Sequence, residues 1–194
     1  MSRKVEQTKD RILSATVELL LTGKPADVRM ADIAKRAGIT RQALYLHFAN
    51  RASLLIAATQ YVDGKKDIDA RLAPSRAADQ GTERLALYID AWGNYIPEIF
   101  GIARGLISVY DSDAAAAAAW DDRLAAVRHG CEAAVKALRK DGQLKPSPKD
   151  ATDLLCGLLS VELWEYWVQR CGWSQAKYIR HVQQLASAAL VTQQ

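Results

Sequence analysis

The sequence predicts an all-α protein, and three observations support that fold class. Apolar side chains recur at intervals of three and four residues, which places them on one face of an α-helix. Beyond the N-terminal region, no stretch shows the alternation of apolar and polar residues that marks a half-buried strand. Capping residues, glycines and prolines separate the helical stretches, of which we count about nine.

The composition is that of an ordinary globular protein without a membrane segment. Hydrophobic residues make up 49% of the chain and charged residues 25%, and no run of about 18 apolar residues occurs. The N-terminus lacks the apolar core of a signal peptide. Cys131, Cys156 and Cys171 are widely and irregularly spaced, as in neither a disulfide framework nor a zinc site. We therefore expect a cytoplasmic protein with reduced thiols, no metal and no cofactor.

The N-terminal part of the chain has the pattern of a helix-turn-helix. A first helix is predicted over about residues 8–21, followed by two short helices within residues 32–48. Gly38 supplies the left-handed residue that ends the second helix, and Thr40 caps the third because its hydroxyl can accept a backbone N–H. Leu44 and Phe48 lie one turn apart and form the apolar back of the third helix.

The opposite face of this third helix is suited to contact with DNA. At 100° per residue, Gln42, Ala43 and Leu46 lie on that face, with Tyr45 and His47 at its two edges. Residues 1–60 contain ten Lys or Arg against five Asp or Glu, whereas the rest contains sixteen against seventeen. The basic excess therefore lies in the segment that carries the helix-turn-helix, as neutralisation of DNA phosphates requires.

These residues also carry a family resemblance. The run IAKRAGITRQALYLHFANRASLL from Ile33, and the preceding TKDRILSATVELLLTG from Thr8, closely resemble the DNA-binding domain of TetR-type (tetracycline-repressor-like) transcriptional regulators. The chain departs from the family pattern before the second helix, where Val28 and Arg29 stand in place of a Ser or Thr cap, so we transfer the cap to Asp27. The resemblance implies a dimer that binds a palindromic operator, acts as a repressor and is released by a small molecule.

Within the third helix, the side chains predict distinct contacts with DNA. Gln42 is the candidate to read a base, because its amide can pair with adenine N6 and N7, and Arg41 can grip a guanine or a phosphate. Ala43 permits close approach to a thymine methyl; Leu46 makes the same contact or packs under a side chain. The resemblance implies phosphate contacts at Thr40, Tyr45, His47 and Arg51, and Arg29 completes the predicted DNA-binding set. The alternative is that Tyr45 and His47 only complete an exposed surface.

A fourth helix is predicted to connect two domains. Asn50 caps a helix over about residues 51–69, whose first half packs on the DNA-binding core through apolar residues such as Leu54 and Leu55. Residues 72–81 contain Pro74 and Gly81 and are predicted to form a loop. We therefore assign residues 1–50 to the DNA-binding domain, 51–72 to the connecting helix, and 73–194 to a larger helical domain that binds an effector and dimerises.

In the C-terminal domain, helices are predicted over about residues 82–94, 99–110, 114–140, 147–170 and 175–190. The last two are long and apolar and are joined by a short turn, which is the pair that the family uses to dimerise as a four-helix bundle. The predicted interface residues are Leu154, Leu158, Val182, Leu185 and Ala189. Helices that pack within one subunit would show a similar pattern, so the sequence leaves that alternative open.

Aromatic residues are concentrated in the C-terminal domain, which holds all five tryptophans and five of the seven tyrosines. They indicate either the wall of a cavity for a largely apolar effector or the filling of an ordinary core. The predicted effector-binding residues are Trp92, Tyr95, Tyr110, Trp120 and Trp164.

Two other classes of function are an enzyme and a regulator controlled by a protein partner. An enzyme is disfavoured because the three histidines are far apart in sequence and no Gly-x-Ser-x-Gly, His-Glu-x-x-His or phosphate-binding glycine motif occurs. The second is a DNA-binding regulator controlled by a protein partner. An enclosed cavity would favour a small molecule, and a filled core with an exposed apolar groove would favour the protein partner.

Overall fold

The computed structural model describes residues 3–22 and 28–192, and over these residues the chain is helical. Ten α-helices and one π-helical segment are present: α1 Arg3–Thr22, α2 Met30–Arg36, α3 Arg41–His47, α4 Arg51–Lys65, α5 Ile68–Ala77, α6 Gly81–Ile107, α7 Ala114–Lys140, α8 Pro148–Leu158, α9 Val161–Trp164, the π-helical segment Glu165–Arg170, and α10 Gln175–Leu190. The all-α prediction is confirmed, and the β-type pairing in this part of the chain is an isolated bridge between Leu144 and Val191. The cap predicted at Asp27 lies outside the described residues.

The chain divides into two compact units. The first takes in the described residues as far as Lys66 together with Gly101–Arg123, and the second takes in Asp67–Phe100 and the residues from Leu124 onward. Helices α6 and α7 therefore contribute residues to both units. Residues 101–123 were predicted to belong to the C-terminal domain, but in the structure they pack with the N-terminal helices.

The core of the first unit is built by the four N-terminal helices. Ile12 of α1, Ile33 of α2, Leu44 of α3 and Leu54 of α4 are all fully buried. Helix α1 packs against both α2 and α4, and α2 packs against α3. Truncating any one of these side chains to Ala would cost about 2–5 kcal/mol, so this cluster is what fixes the orientation of α3.

Charged residues join α4 to the 101–123 segment within the same unit. Arg51, in the first turn of α4, donates to the carboxylate of Asp113. Asp113 also caps α7, because its Oδ1 accepts from the backbone N–H groups of Ala115 and Ala116 at 3.0 and 3.2 Å. Near the other end of α4, Asp63 pairs with Arg123. These contacts at both ends of α4 explain why 101–123 clusters with the N-terminal helices.

Two predicted helices over residues 82–110 are a single helix, α6, which continues through Pro97. A proline removes the N–H that would bond to the carbonyl four residues earlier, here that of Gly93. The side-chain amide of Gln175 donates to this carbonyl at 2.6 Å and so replaces the missing bond. The Gln175 amide oxygen in turn accepts from Trp164 Nε1 at 2.8 Å, which fixes the orientation of the amide.

The helix predicted over residues 147–170 is instead broken into α8, α9 and the π-helical segment. Ser160 caps α9, with its hydroxyl accepting from the backbone N–H of Leu163 at 3.2 Å. The break frees carbonyls at the end of α8, and side chains satisfy them. Tyr178 Oη donates to the carbonyl of Leu158 at 3.2 Å, and Trp92 Nε1 donates to that of Leu159 at 2.9 Å.

Two smaller differences concern the ends of elements. The predicted loop over residues 72–81 contains most of α5, which begins after Asp67, a residue in the left-handed conformation with φ of 51°. Helix α4 ends at Lys65, so it is shorter than predicted. Among the described residues, no helix combines the length and apolar character needed to cross a membrane.

Candidate nucleic-acid interface

The turn between α2 and α3 has the geometry that the sequence predicted. Gly38 adopts a left-handed conformation with φ of 67°, and its N–H donates to the carbonyl of Lys35 at 3.2 Å. The N–H of Ile39 donates to the carbonyl of Ala34 at 3.0 Å, which completes the end of α2. Thr40 caps α3, with Oγ1 accepting from the N–H of Ala43 at 3.1 Å. The roles of Gly38 and Thr40 are thus confirmed.

Helix α3 has a buried back and an exposed front. Leu44 is fully buried and Phe48 nearly so, whereas Arg41, Gln42 and Tyr45 are exposed. The back contacts the other N-terminal helices, so the front is held outward as a rigid surface of side-chain donors. An amide, a phenol and a guanidinium on one short helix are groups that contact base edges and phosphates in a major groove.

Leu46 stands out because 85% of its surface is exposed. The sequence left open whether this leucine makes an apolar contact with DNA or packs beneath another side chain. In the structure it projects into solvent from the same helix as Gln42. An exposed leucine in the middle of a polar recognition face is suited to contact a thymine methyl.

Arg41 and Tyr45 form a pair along α3. Arg41 Nη2 lies 3.4 Å from Tyr45 Oη, and the guanidinium carbon lies 5.6 Å from the centre of the phenol ring. Residues four apart on a helix are neighbours, so this contact restricts both side chains to one side of α3. Arg41 keeps its other N–H groups, and Tyr45 keeps its O–H, as donors for a phosphate or a base. Ala43 and His47 are half-buried beside them, and Thr40 is exposed at the start of the helix.

Arg51 lies in a different environment from the other predicted phosphate contacts. Its Nε donates to the carbonyl of Val28 at 2.8 Å, and its Nη1 lies 2.7 and 2.6 Å from the two carboxylate oxygens of Asp113. Only 20% of its side chain is exposed. We therefore assign Arg51 to positioning α4 and the start of α2 instead of to a phosphate. Sequence reasoning missed Asp113 because it lies 62 residues away.

The carboxylate of Asp113 is held in its charged form. Partial burial alone would raise its pKa, but the hydrogen bonds and charge of Arg51, with the N–H groups of Ala116 and Ala115, outweigh this effect. The pKa of Asp113 therefore lies below its usual value.

Arg29 occupies the N-cap position of α2, is exposed and makes no capping bond with its side chain. Its guanidinium is thus not used in capping α2.

The predicted dimer residues divide into exposed and buried groups. Leu154 on α8 and Leu185 on α10 are 49% and 46% exposed. Leu158 is half-buried and Ala189 is exposed. Val182, by contrast, is fully buried inside the protomer. It belongs to the core between α10 and its neighbours, and we leave it out of the interface.

The five predicted effector residues do not form one cluster within a unit. Trp92, Tyr95 and Trp164 belong to the second unit, whereas Tyr110 and Trp120 belong to the first. Trp92 and Tyr95 lie with ring centres 5.5 Å apart, and Tyr95 is 1% exposed. Tyr110 is 38% exposed and donates to Asp121 at 2.8 Å. The indole N–H groups of Trp92 and Trp164 both donate hydrogen bonds, to the carbonyl of Leu159 and to the side-chain oxygen of Gln175. These two residues therefore have structural roles of their own.

A groove of about 650 Å³ runs between the start of α6 and α10 in the second unit. Its floor includes Leu85 and Ile89, and polar side chains such as Arg180 and Gln183 line its sides. Gln183 donates to the carbonyl of Ala86 at 3.0 Å. The groove is lined by residues that the sequence did not single out, since its two walls come from helices about a hundred residues apart.

Comparisons with known proteins agree on the N-terminal helices. Residues 12–58 match the family model of bacterial regulatory proteins, tetR family. The HTH-type transcriptional regulator SrpR of Pseudomonas putida is 36% identical over 50 residues, which are 26% of this chain and 24% of that regulator. The match thus spans about a quarter of the length of this curated relative.

Solved structures resemble the chain over nearly its whole length. NalD of Pseudomonas aeruginosa, the secondary repressor of the MexAB-OprM multidrug efflux pump, is 22% identical with a TM-score of 0.71, covering 100% of both chains. The transcriptional regulator FadR of Bacillus subtilis, solved in complex with stearoyl-CoA, is 19% identical with a TM-score of 0.72. That match covers 92% of this chain and 97% of the other. At such identities the likeness shows a shared fold.

Proposed function

We propose, from the premise that this chain belongs to the TetR family of bacterial regulatory proteins, that it represses transcription by binding an operator as a dimer. The family is one of regulators and not of enzymes. The observation that carries the proposal is the outward face of α3, where Gln42 and Leu46 project from a helix whose back is fully buried. Such a protein would work in the cytoplasm, where the operator is.

We assign the reading of bases to Gln42 and its neighbours on α3. Gln42 would pair with an adenine, Leu46 and Ala43 would contact thymine methyl groups, and Arg41 would bind a guanine or a phosphate. Thr40 and Tyr45 would position the helix on the backbone. In a two-fold dimer the two α3 helices would meet half-sites about 34–36 Å apart, so the operator would be a palindrome.

A small, largely apolar or aromatic molecule is the effector that we favour. Support comes from the fold neighbour FadR, which was solved with stearoyl-CoA. The repressor role is supported by the description of NalD as a secondary repressor. The alternative is control by a protein partner, and the open groove over Leu85 and Ile89 is an argument for it. A thermal-shift screen finds small molecules that bind the folded chain, because binding to the folded state raises Tm, and loss of operator binding then identifies an effector among them.

The contacts of α4 suggest how an effector would release DNA. Arg51 joins the first turn of α4 to Asp113, and Asp113 caps α7. Helix α7 continues from this unit into the second, so movement of α7 would be passed to α4 through these contacts. A small tilt of α4 in each protomer would change the separation of the two α3 helices. Because the spacing of the grooves is fixed, every contact in both half-sites would weaken together.

The proposal is tested by selecting binding sites from a random duplex library with the parent chain and Gln42→Ala. We expect the parent to select a palindrome. Gln42→Ala should lose its preference at one position per half-site, at a cost of ~1–3 kcal/mol for each contact. Tyr45→Phe is the matched control, since it should weaken all sequences alike. A library that shows no enrichment with the parent would refute DNA recognition, and an unchanged profile for Gln42→Ala would refute the role of Gln42.

A further inference from the structure

Leu46 is an apolar residue on a surface that otherwise carries hydrogen-bonding groups. Its side chain is 85% exposed, whereas Leu21, the next most exposed leucine among the described residues, is at 56%. Leu44 and Phe48, two residues away on either side, are both buried. Leu46 is therefore not a core residue, and in the free protein its apolar surface meets water.

The residues next to Leu46 on α3 leave it to make an apolar contact. Its neighbours on the helix surface are Ala43 and Gln42, three and four positions before it. Ala43 has no polar side-chain atom, and Gln42 lies one turn nearer the start of the helix. Tyr45 lies roughly 100° away around the helix, and its hydroxyl is 3.4 Å from Arg41 Nη2. The base that faces Leu46 is therefore read through apolar contact.

Apolar contact recognises one feature of the major groove, the methyl group at C5 of thymine. The other groups on the base edges there are hydrogen-bond donors and acceptors. Methylation of cytosine at C5 puts the same methyl group at the same place on a G·C pair. Thymine and 5-methylcytosine then differ at the neighbouring exocyclic group, which is a carbonyl oxygen in one and an amine in the other. A leucine side chain has neither donor nor acceptor to distinguish them.

We propose that Leu46 reads the C5 methyl group of an operator pyrimidine and contacts thymine and 5-methylcytosine alike. This inference rests on the proposed DNA-binding function and adds regulation to it, because methylation of a cytosine at that position would strengthen operator binding. Four residues of α-helix rise about 6 Å and one base pair about 3.4 Å. The pyrimidine should therefore lie about two base pairs from the adenine that faces Gln42.

The test compares duplexes that differ by methyl groups alone. The Leu46 position of the operator is the one at which Leu46→Ala loses the preference that the parent shows in the library selection. Duplexes carry thymine, uracil, cytosine or 5-methylcytosine at this position in both half-sites, each opposite its normal partner, and anisotropy of labelled duplex gives each Kd. Burial of one methyl group should raise affinity roughly four-fold, and of two roughly 15-fold. For the parent we expect this factor both for thymine over uracil and for 5-methylcytosine over cytosine.

Three variants separate the methyl contact from other effects. Leu46→Ala shortens the side chain and should bring both affinity ratios toward one. Because Leu46 is exposed, this variant should keep the Tm of the parent, which separates a lost contact from lost folding. Leu46→Met keeps an apolar side chain of similar volume and should keep both ratios. Tyr45→Phe should weaken binding to all four duplexes alike and leave both ratios unchanged.

The possible failures bear on different parts of the argument. If the parent selects a palindrome but both ratios are near one, Leu46 does not read a methyl group, while the proposed DNA binding stands. Ratios that Leu46→Ala retains would have the same meaning. A preference for thymine over uracil without one for 5-methylcytosine over cytosine would overturn the shared recognition. A parent that selects no palindrome would overturn the proposed function together with this inference.

Discussion

Arg51 shows how much a single side chain contributes when its partners come from distant parts of the chain. Its guanidinium bonds to the carbonyl of Val28 and to Asp113, and both side chains of the ion pair are at most 20% exposed. Removing one member of such a pair leaves the other poorly solvated and without its partner. In contrast, Arg36 and Glu18 form an ion pair in which both side chains are about half exposed.

We expect Arg51→Ala to lower the free energy of unfolding by about 1–3 kcal/mol, because Asp113 then lacks its charged partner. A double-mutant cycle with Asp113→Ala, measured by urea denaturation, should give a favourable coupling energy between the Arg51 and Asp113 side chains. Arg36→Ala is the control and should cost less than about 1 kcal/mol. Equal losses for the two arginines would mean that the Arg51 pair gains nothing from its partial burial.

Secondary-structure elements depend on glycines for different reasons. Gly38 in the turn before α3 has φ of 67°, whereas Gly64 lies inside α4. A Cβ added at either position would meet nothing within 4 Å. Any difference between the two substitutions must therefore come from backbone conformation and not from packing.

We expect Gly38→Ala to destabilise the chain by about 1–2 kcal/mol, since a left-handed backbone is unfavourable for alanine. Gly64→Ala should stabilise it by about 0.5–1 kcal/mol, because alanine favours the helix and restricts the unfolded chain. Chemical denaturation of the two variants measures both effects. Destabilisation by both substitutions to the same degree would show that α4 needs Gly64 for another reason.

Local patterns predicted the elements near the DNA-binding face but not those that depend on distant side chains. Gly38 and Thr40 act through neighbours within four residues, and both roles are confirmed. The continuity of α6 through Pro97 depends on Gln175, which follows it by more than seventy residues. No helix-spacing rule contains that information. The break at Ser160 did have a local signal, since serine is a good N-cap, but the strong apolar pattern around it concealed the signal.

The candidate DNA site was predicted more fully than the effector site. Exposed and buried faces of α3 follow from 100° periodicity, so Leu44 and Gln42 were placed on opposite sides from sequence. Aromatic residues, in contrast, have no directional pattern that separates a cavity wall from a core. Trp92 and Trp164 are satisfied by Leu159 and Gln175, contacts that only the folded chain brings together.

At the scale of the whole molecule, two exposed leucines support a dimer. Leu154 and Leu185 are nearly half exposed on helices α8 and α10, which pack against each other. Together they present apolar surface that association would remove from water.

We expect Leu154→Glu with Leu185→Glu to give monomers by light scattering. Leu124→Glu on α7, with the same 46% exposure as Leu185, is the control and should remain dimeric. Dimers in both proteins would place the interface elsewhere.

The effector and the operator should oppose each other if α4 transmits the signal. For a compound that raises Tm in the screen, we expect saturating operator to weaken its binding by roughly 5–150-fold, a coupling free energy of ~1–3 kcal/mol. Linkage requires that the compound weaken operator binding by the same factor. Tryptophan fluorescence with and without operator measures the first effect, and anisotropy of labelled operator measures the second.

Arg51→Ala tests whether this coupling passes through α4. Loss of the bond to Asp113 should reduce the coupling factor toward one, while the affinity for the compound in the absence of DNA should remain that of the parent. The reason is that Arg51 is not among the residues that line the groove over Leu85 and Ile89. Arg36→Ala should keep the parental coupling. An unchanged coupling factor in Arg51→Ala would mean that the signal reaches α3 by a route that does not use the α4 ion pair.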